Sequence, residues 1–501
     1  MVKVVFRVDA SVYIGSGHVM RCLSLAEELK KQGNDVVFVM RVQPGDLCDY
    51  TQSRGFKVER LSKPCESMVP KSTSDYQAWL QVPLLNDAED FLSVAGDADL
   101  VVIDHYGITA QWETLINSRT SCKLVVIDDL VREHDTDMVI DQTVGREASE
   151  YRQKSPGSVV LAGTNYALLK ARFSELHPLA VDKKIDKQNH RLLLTMGGID
   201  NPNATLEVLK ALSSREIAIQ TTVLLGEKAP HYTSVASFCE QHSDWITHIP
   251  FAEDMAALML EHTIAIGAPG STSWERACMG LPSIMIPLAD NQLQICRNLV
   301  EESAAISISI EDIRTTLNTK LDELINRFAT MRTKNLNLCD GKGVGKVAAA
   351  AIGLEKYGIV LIEATSKDIR QVYEWQRLPE TRRYALNPEI PTWEEHQAWM
   401  IKKLNSQYSF FYIVHWEDKQ VGAVRLDEVN PVKFIISIFI APQYHGKGLA
   451  KKTLAVIDII HPDIEINATV FEANAASQAL FKTAGYRQVN RELFIRGKLE
   501  N

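Results

Sequence analysis

The chain has 501 residues, of which 46% are hydrophobic and 23% are charged, and its formal net charge is −9 at pH 7. Domains usually hold about 100–200 residues, so this length predicts about two to four of them in a globular protein of ordinary composition. The acidic balance argues against a general nucleic-acid-binding protein, because such proteins need a basic face that displaces counterions.

Targeting and redox signals are weak throughout the sequence. The first apolar run is about six residues long, too short for a signal-peptide core, and no later run reaches the ~18 apolar residues of a transmembrane helix. The eight cysteines include no Cys-x-x-Cys pair and no zinc-type spacing with histidine. We therefore expect a cytoplasmic protein with free thiols, no metal, and neither a membrane nor a nucleic acid as partner.

Two successive α/β lobes are predicted in the first 350 residues. Short apolar strands alternate with amphipathic helices, as in a parallel sheet covered on both faces. The polar stretch Asp182–Asn189 interrupts this alternation, which then restarts. The predicted strands of the two lobes are Val4–Val8, Val36–Met40, Leu100–Asp104, Leu124–Asp128 and Val159–Ala162, then Arg191–Thr195, Ile219–Leu225, Thr263–Gly267, Ser283–Pro287 and Ala305–Ser309. Lobes over residues 1–178 and 179–353 predict a ligand cleft between the carboxyl edges of their sheets.

A different pattern follows the lobes. One long helical segment is predicted over Ile310–Ala351. Beyond Tyr357, the runs Phe410–His415, Gln420–Asp427 and Lys433–Ile440 are joined by short polar turns, which indicates antiparallel hairpins. Residues 357–501 are therefore predicted to form a separate α+β domain.

A glycine-rich turn joins the first strand to the first helix, in the stretch GSGHVMRC at residues 15–22. This arrangement presents a helix N-terminus to an anion. The dinucleotide motif G-x-G-x-x-G would need glycine where Met20 stands, so NAD binding is disfavoured. His18 lies in the first helical turn, where the positive helix end favours the neutral ring that a general base requires. The alternative is a histidine that only caps the loop.

This stretch, with RVD at residues 7–9, VIDHY at 102–106 and NYALLKARF at 165–173, resembles the UDP-sugar hydrolases of pseudaminic acid biosynthesis. The resemblance covers essentially residues 1–350. It implies a GT-B fold and metal-independent release of UDP from 2,4-diacetamido-2,4,6-trideoxy-L-altrose. It also implies that His18 activates the attacking water. Further substrate contacts in this lobe are expected from Gly15, Gly17, Arg21 and Tyr106, although Tyr106 could equally be a packing aromatic.

The second lobe carries the expected UDP site. Gly197 and Gly198 follow a strand, which suits N–H donation to a diphosphate or simply a tight turn. The stretch IGAPGSTSWE at residues 266–275 resembles the nucleotide-binding segment of GT-B enzymes. This implies phosphate contacts from Ser271 and Thr272 and a ribose contact from Glu275, while Thr272 and Glu275 also fit a capping box.

A polar strand end completes the expected sugar site. After the strand Ser283–Pro287, the resembled family has an Asn-Gln pair that faces the sugar. The resemblance therefore implies that Asn291 is a second catalytic residue and that Gln292 contacts substrate. The preceding Asp290 could be only a helix N-cap.

The C-terminal domain has a second glycine loop. The strand Lys433–Ile440 leads into APQYHGKGLA at residues 441–450 and then into an apolar helix, an arrangement that suits a pyrophosphate. Together with Asn474-x-x-Ser477-x-x-x-Phe481, it resembles the GNAT acetyltransferase superfamily over residues 358–501, which implies acetyl-CoA as co-substrate. The residues expected to bind acetyl-CoA are Ile438, Ile440, Gln443, Gly446, Lys447, Gly448, Leu449, Ala450, Asn474, Ser477 and Phe481.

One position departs from the acetyltransferase pattern. Many members carry a tyrosine, the general acid, where Phe481 stands. Either another group protonates the sulfur, or a weak general acid suffices because a thiolate leaves readily, or the domain binds acetyl-CoA without turning it over. Glu472 and Tyr486 are the candidate proton donors, although Tyr486 is more often a core residue in this motif.

More loosely, the segments Trp375–Gln376, Arg382–Tyr384 and Trp393–His396 resemble the acetyltransferase of the same pathway, which acts on the 4-amino group of a UDP-linked altrose. The expected function is therefore acetylation followed by hydrolysis of one UDP-sugar, with other pathway enzymes as possible partners. The alternative is a GT-B glycosyltransferase with a non-catalytic acetyl-CoA-binding module.

Overall fold

The computed structural model describes residues 1–64, 66–72, 74–186, 189–385, 387–406 and 409–499, and all of these with side chains except Asn291. Residues 1–155 with 160–348 form one compact unit, and residues 156–159 with 349–501 form another. No helix in these ranges is both long enough and apolar enough to cross a membrane.

The first lobe is built on a seven-stranded sheet with the order β3-β2-β1-β4-β5-β6-β7. Its elements are β1 (Lys3–Val8), α1 (Gly17–Lys31), β2 (Asp35–Arg41), α2 (Cys48–Ser53), β3 (Lys57–Leu61), α3 (Leu84–Ala95), β4 (Leu100–Asp104), α4 (Ala110–Arg119), β5 (Lys123–Ile127), β6 (Met138–Asp141) and β7 (Val159–Ala162). Strand β1 pairs in parallel with β2 and β4, and its buried run is apolar except for Arg7, as is typical of a parallel sheet covered on both faces. Val8 lies opposite Asp104, so the loops that leave β1 and β4 start side by side.

The second lobe repeats this design around a six-stranded sheet with the order β10-β9-β8-β11-β12-β13. Its elements, with the preceding helix α5, are α5 (Ala171–Asp182), β8 (Arg191–Thr195), α6 (Ala204–Leu212), β9 (Gln220–Leu224), α7 (Tyr232–Gln241), β10 (Ile246–Ile249), α8 (Met255–Glu261), β11 (Ile264–Gly267), α9 (Thr272–Cys278), β12 (Ser283–Met285), α10 (Leu293–Glu301), β13 (Ala305–Ser307), α11 (Ile313–Asn326), α12 (Phe328–Leu338) and α13 (Gly343–Tyr357). Two lobes with parallel sheets in one unit confirm the predicted GT-B class.

The prediction of one long helix over Ile310–Ala351 is wrong. Three helices, α11, α12 and α13, occupy this region, with breaks at Arg327 and after Leu338. At the second break the chain is extended at Cys339, and Gly341 has a φ of +76°. A Cβ at Gly341 would lie 2.7 Å from the backbone nitrogen of Ser174 in α5, so the helix could not continue through this close contact.

The C-terminal unit contains a mixed sheet with the order β14-β15-β16-β17-β18-β20-β19. Its elements are β14 (Ile359–Glu363), α14 (Ile369–Gln376), α15 (Pro379–Arg382), α16 (Trp393–Leu404), β15 (Ser409–Trp416), β16 (Lys419–Asn430), β17 (Lys433–Ile440), α17 (Leu449–Ile460), β18 (Glu465–Thr469), α18 (Ala475–Thr483), β19 (Arg487–Gln488) and β20 (Leu493–Arg496). Strands β15, β16 and β17 form the predicted antiparallel hairpins.

Candidate functional site

His18 is the second residue of α1 and is 8% exposed. Its Nδ1 lies 2.6 Å from Oδ1 of Asp104, the last residue of β4. An ionised carboxylate only accepts hydrogen bonds, so Nδ1 of a neutral His18 donates and Nε2 keeps the lone pair. The strand pairing of β1 with β4 therefore brings a base and its orienting carboxylate together from 86 residues apart in sequence.

Arg21, one turn further along α1, holds the same carboxylate. Its Nε donates to Oδ2 of Asp104 at 2.6 Å, its Nη2 donates to Oδ1 at 2.7 Å, and its Nη1 donates to Asp129. Burial by itself would raise the pKa of Asp104, but the Arg21 guanidinium and His18 hold it well below its usual range. The guanidinium is buried and faces two carboxylates, and the expected contact of Arg21 with substrate stays a prediction. We assign Arg21 to the support of Asp104.

An aromatic wall stands beside His18. The ring of Tyr106 meets the imidazole edge-on at 4.6 Å between centroids, and its hydroxyl donates to Asp129 at 2.8 Å. Trp79 lies 5.8 Å from Tyr106 in a stacked arrangement, and Tyr76 lies 4.9 Å from Trp79. Tyr106 was predicted at the site, whereas Tyr76 and Trp79 were not, since their only signal in the sequence is two aromatic residues three apart in a polar segment.

The two glycine-rich loops face each other within the N-terminal unit. Gly15 has a φ of +78°, which favours glycine, and a Cβ at Gly17 would lie 3.9 Å from Oγ of Ser271 at the start of α9. The beginning of α1, with His18, therefore lies against the predicted UDP loop of the second lobe. Both loops follow the carboxyl ends of strands, β1 and β11, which is where the two α/β lobes predict a ligand cleft.

A buried arginine that was not predicted, Arg276, holds the loop before α9 through hydrogen bonds. Nη2 of Arg276 donates to the carbonyl oxygen of Ala268 at 3.0 Å and to Oγ of Ser273 at 3.2 Å. Its Nε and Nη1 have no hydrogen-bond partner among the described side and main chains. Burial lowers the pKa of Arg276 to about 10, so it remains charged at neutral pH. A cation therefore lies next to a loop whose hydroxyls, at Ser271 and Thr272, are half-buried.

Glu275 does not form the capping box that the sequence allowed. Helix α9 begins at Thr272, and its cap shows no side-chain hydrogen bond. Burial raises the pKa of Glu275 to about 7, although Arg276 and Lys170 oppose this shift. A half-buried carboxylate without a cap role is suited to accept hydrogen bonds from ligand hydroxyls.

The remaining second-lobe residues surround the same opening. Gly197 has a φ of +86°, and both it and Gly198 are exposed after β8. The side-chain oxygen of Gln292 accepts from the backbone N–H of Leu288 at 2.8 Å, so it shapes its own loop and leaves only its amide nitrogen for substrate. The side chain of Asn291 lies outside the described residues. Within the described ranges, no group of three or more His, Cys, Asp and Glu side chains could hold a metal ion.

In the C-terminal unit, the predicted acetyl-CoA loop is exposed, and the groups that it offers to a ligand are mainly backbone N–H donors. Gly446 and Gly448 have φ values of +78° and +72°, and a Cβ at either would meet no atom within 4 Å. Gly448 is the N-cap of α17, which begins at Leu449, and the first N–H groups of a helix lack internal acceptors. Lys447 lies over the Trp416 ring at 4.6 Å, while Gln443 and Ala450 lie on either side of the loop. The loop fits a pyrophosphate.

The strand next to this loop opens a gap in the sheet. Strands β17 and β18 pair only from Lys433–Ile435 to Glu465–Asn467, although β18 continues to Thr469. Ile438 and Ile440 lie beyond the paired stretch, where an extended acyl-thioester arm can meet the free edge of β17.

The residues after the gap have structural roles. Asn474 is the N-cap of α18 and accepts from the N–H of Ser477 at 3.1 Å. Phe481 is buried and packs edge-on against Tyr486 at 5.0 Å. Burial raises the pKa of Tyr486 far above its usual range, which does not favour the predicted proton transfer. Glu472 is exposed and lies 3.7 Å from Arg491.

Comparisons with known families match each half separately. The acetyltransferase (GNAT) domain model matches residues 359–487, and the glycosyltransferase family 28 C-terminal domain model matches residues 200–344. The UDP-2,4-diacetamido-2,4,6-trideoxy-beta-L-altropyranose hydrolase of Campylobacter jejuni is 30% identical over 263 residues, which is 52% of this chain and 82% of that protein. An uncharacterized protein of Methanocaldococcus jannaschii is 24% identical over 98% of this chain and 97% of its own length.

A solved structure supports the fold. The crystal structure of MurG from Acinetobacter baumannii has a TM-score of 0.50 and 13% identity, covering 70% of this chain and 98% of that one. At this identity the likeness concerns the GT-B fold alone.

Proposed function

Since the chain belongs, through its N-terminal half, to the family of UDP-2,4-diacetamido-2,4,6-trideoxy-beta-L-altropyranose hydrolases and carries a GNAT acetyltransferase domain behind it, we propose that it is a bifunctional enzyme of pseudaminic acid biosynthesis. The C-terminal unit acetylates the 4-amino group of UDP-4-amino-4,6-dideoxy-beta-L-AltNAc. The N-terminal unit then hydrolyses the product to UDP and 2,4-diacetamido-2,4,6-trideoxy-L-altrose. The observation that carries this proposal is the His18–Asp104 pair, which faces the Ser271 loop across the cleft.

In the hydrolytic step, His18 is the general base. Nε2 takes a proton from a water molecule as the water oxygen bonds to the anomeric carbon and the bond from that carbon to the UDP oxygen breaks. Asp104 stays ionised, orients the ring and stabilises the imidazolium that forms. The proton returns to solvent after UDP departs. The aromatic wall excludes bulk water and offers apolar faces to the sugar.

The second lobe stabilises the leaving group. The N-terminus of α9 and the hydroxyls of Ser271 and Thr272 receive the diphosphate, and Glu275 accepts from the ribose. The Arg276 guanidinium lies next to these groups and adds a positive charge close to the negative charge that develops on UDP.

In the transfer step, acetyl-CoA supplies an activated acetyl group. The loop from Gln443 to Ala450 is proposed to hold its pyrophosphate, and the free edge of β17 is proposed to hold the thioester. The substrate amine attacks the acetyl carbonyl, the carbon–sulfur bond breaks, and the amine proton is released. A thiolate leaves readily without a strong acid, which is compatible with phenylalanine at position 481.

One experiment tests both steps. The purified chain is supplied with acetyl-CoA and UDP-4-amino-4,6-dideoxy-beta-L-AltNAc, and mass spectrometry follows the sugar and UDP. The wild type acetylates the sugar and then releases UDP. His18→Asn accumulates the acetylated UDP-sugar, with UDP release slowed by about 10²–10⁴-fold and UDP affinity retained.

Controls separate the two halves. His242→Asn changes a histidine at the end of α7 and should behave as the wild type. Normal UDP release by His18→Asn would overturn the assigned base, and acetyl-CoA left unconsumed would overturn the acetyltransferase half.

A further inference from the structure

One face of the C-terminal sheet is only partly covered. Helices α14 and α16 pack on it over a cluster that includes Phe411, Ile413, Ala423 and Phe439. Farther along the same strands this face carries two pairs of cross-strand neighbours. These pairs are Arg425 with Ser437 and Asp427 with Ile435. Ser437 is exposed and Ile435 is 43% exposed, so this part of the sheet is open to a ligand.

The open part carries an excess of positive charge. Nε of Arg425 donates to Oδ2 of Asp427 at 2.8 Å, and Nζ of Lys403 in α16 donates to Oδ1 at 2.7 Å. Two cations therefore share one carboxylate, which leaves one positive charge. The neighbouring ion pair between Lys433 of β17 and Glu465 of β18, at 3.0 Å, is neutral and does not cancel this charge.

An aromatic ring fixes the direction of the guanidinium. The Arg425 carbon Cζ lies 4.9 Å from the centroid of the Trp399 ring. Arg425 has five N–H donors, and one of them is used by Asp427, so the others can serve a ligand. A planar guanidinium that rests on an indole is suited to bind phosphate oxygens through paired donors.

This surface adjoins the gap in the sheet. Strands β17 and β18 separate beyond Ile435 and Asn467, and Ser437 is two residues into the unpaired stretch. Arg425 is the cross-strand neighbour of Ser437. A molecule whose amine reaches an acetyl group in the gap from this face can therefore extend over Arg425 and Trp399.

We propose that Trp399, Lys403, Arg425 and Asp427, together called the basic recess, bind the phosphates of a nucleotide-linked amine. The recess thereby selects nucleotide sugars over free amino sugars and over cationic amines. Phosphate provides the negative charge that the recess lacks, whereas a polycationic amine is repelled. This inference rests on the proposed acetyltransferase activity, and it adds the residues that recognise the acceptor.

The test compares two acceptors on the full chain. Thiol release from acetyl-CoA is followed with UDP-4-amino-4,6-dideoxy-beta-L-AltNAc and with the same amino sugar without the nucleotide. The wild type should prefer the nucleotide-linked amine. Arg425→Met and Lys403→Met should each raise the KM for that acceptor about tenfold or more. They should leave the KM for acetyl-CoA and the rate with the free amino sugar unchanged.

Two further variants and three outcomes decide the result. Lys402→Met alters an exposed neighbour on α16 and should change neither KM, while Arg425→Lys, which keeps the charge, should keep part of the preference. Equal loss with both acceptors, or a wild type without nucleotide preference, would overturn the basic recess and leave the acetyltransferase standing. If neither acceptor caused thiol release, both the basic recess and the proposed acetyltransferase activity would be overturned.

Discussion

The His18 pocket and the Gly446–Leu449 loop are each proposed to bind a ligand next to a reacting centre, and they are built in opposite ways. In the pocket, side chains hold one another. His18, Arg21 and Tyr106 are all buried, and Asp104 and Asp129 receive their hydrogen bonds. In the loop, most residues are exposed, and the useful groups are backbone N–H donors made available by two glycines with positive φ.

Because the two sites are built differently, they should be sensitive to different substitutions. A pocket made of coupled buried charges should fail when one member changes, because the remaining charges lose their partners. A loop made of backbone should tolerate changes in side-chain chemistry. It should fail where a Cβ alters the backbone or enters the ligand's space.

The largest effect is expected from Asp104→Asn. The substitution removes the charge that orients His18 and leaves Arg21 with Asp129 alone. We expect UDP release from the acetylated UDP-sugar to slow by about 10²–10⁴-fold. The free energy of unfolding should fall by about 3–5 kcal/mol, because one partner of a buried ion pair is lost. Steady-state UDP release and thermal unfolding measure the two effects.

A matched carboxylate separates the role of Asp104 from general electrostatics. Asp90 also pairs with an arginine, Arg41 at 2.9 Å, but its side chain is 40% exposed. Asp90→Asn should keep UDP release near the wild-type rate. If Asp104→Asn remained folded and lost less than about fivefold in rate, a range far below that of general-base catalysis, the coupled-pocket description would be wrong.

The sequence carries enough information for the loops that follow strands, because glycines and a histidine at a strand–helix junction are local signals. His18, Gly446 and Gly448 were predictable for this reason. The partners of His18 were not. Asp104 is visible as the end of a strand, but its hydrogen bond depends on the parallel pairing of β1 with β4, which no local pattern contains.

Strands without a clear hydrophobic pattern were not predicted, for a related reason. The strands Lys57–Leu61 and Ile246–Ile249 include exposed polar residues and therefore lack a continuous apolar run. Arg276 was not predicted because an arginine after a capping motif normally suggests a surface position. Here its side chain is buried and donates a hydrogen bond to Ser273. Its role depends on tertiary packing alone.

A smaller effect is expected from Gly448→Val in the acetyl-CoA loop. A non-glycine residue in the left-handed region costs about 1–2 kcal/mol, and its side chain would project into open space where the pyrophosphate is proposed to bind. We expect the KM for acetyl-CoA to rise by about tenfold, which corresponds to about 1.4 kcal/mol, with kcat for acetyl transfer less affected. Initial rates of thiol release at varied acetyl-CoA check this.

Gly358 offers the control for backbone strain. It has a φ of +63° and open space around its Cβ position, but it precedes β14 rather than the loop. Gly358→Val should cost similar stability and leave the KM for acetyl-CoA unchanged. An equal rise in KM for both variants would mean that strain in the unit, and not the loop, governs acetyl-CoA binding.

The smallest effect is expected at Glu275. Like the His18 pocket it would act through a half-buried side chain, and like the Gly446–Leu449 loop it lies at the start of a helix after a glycine-containing loop. Burial raises its pKa to about 7, so it is charged above that pH and neutral below it. Ribose hydroxyls donate better to the charged carboxylate. UDP affinity should therefore fall as the pH drops from 8 to 6, by at most about tenfold in all for one proton with a pKa of about 7.

Calorimetric titration of UDP across this range, in the wild type and in Glu275→Gln, isolates the contribution of this carboxylate. The phosphates of UDP titrate equally in both proteins, so only the difference between the two curves reports Glu275. The glutamine variant should bind more weakly than the wild type at pH 8 and approach it at pH 6. Parallel curves would exclude Glu275 as the ribose acceptor. The second lobe would then resemble the acetyl-CoA loop, with recognition by backbone and hydroxyl groups alone.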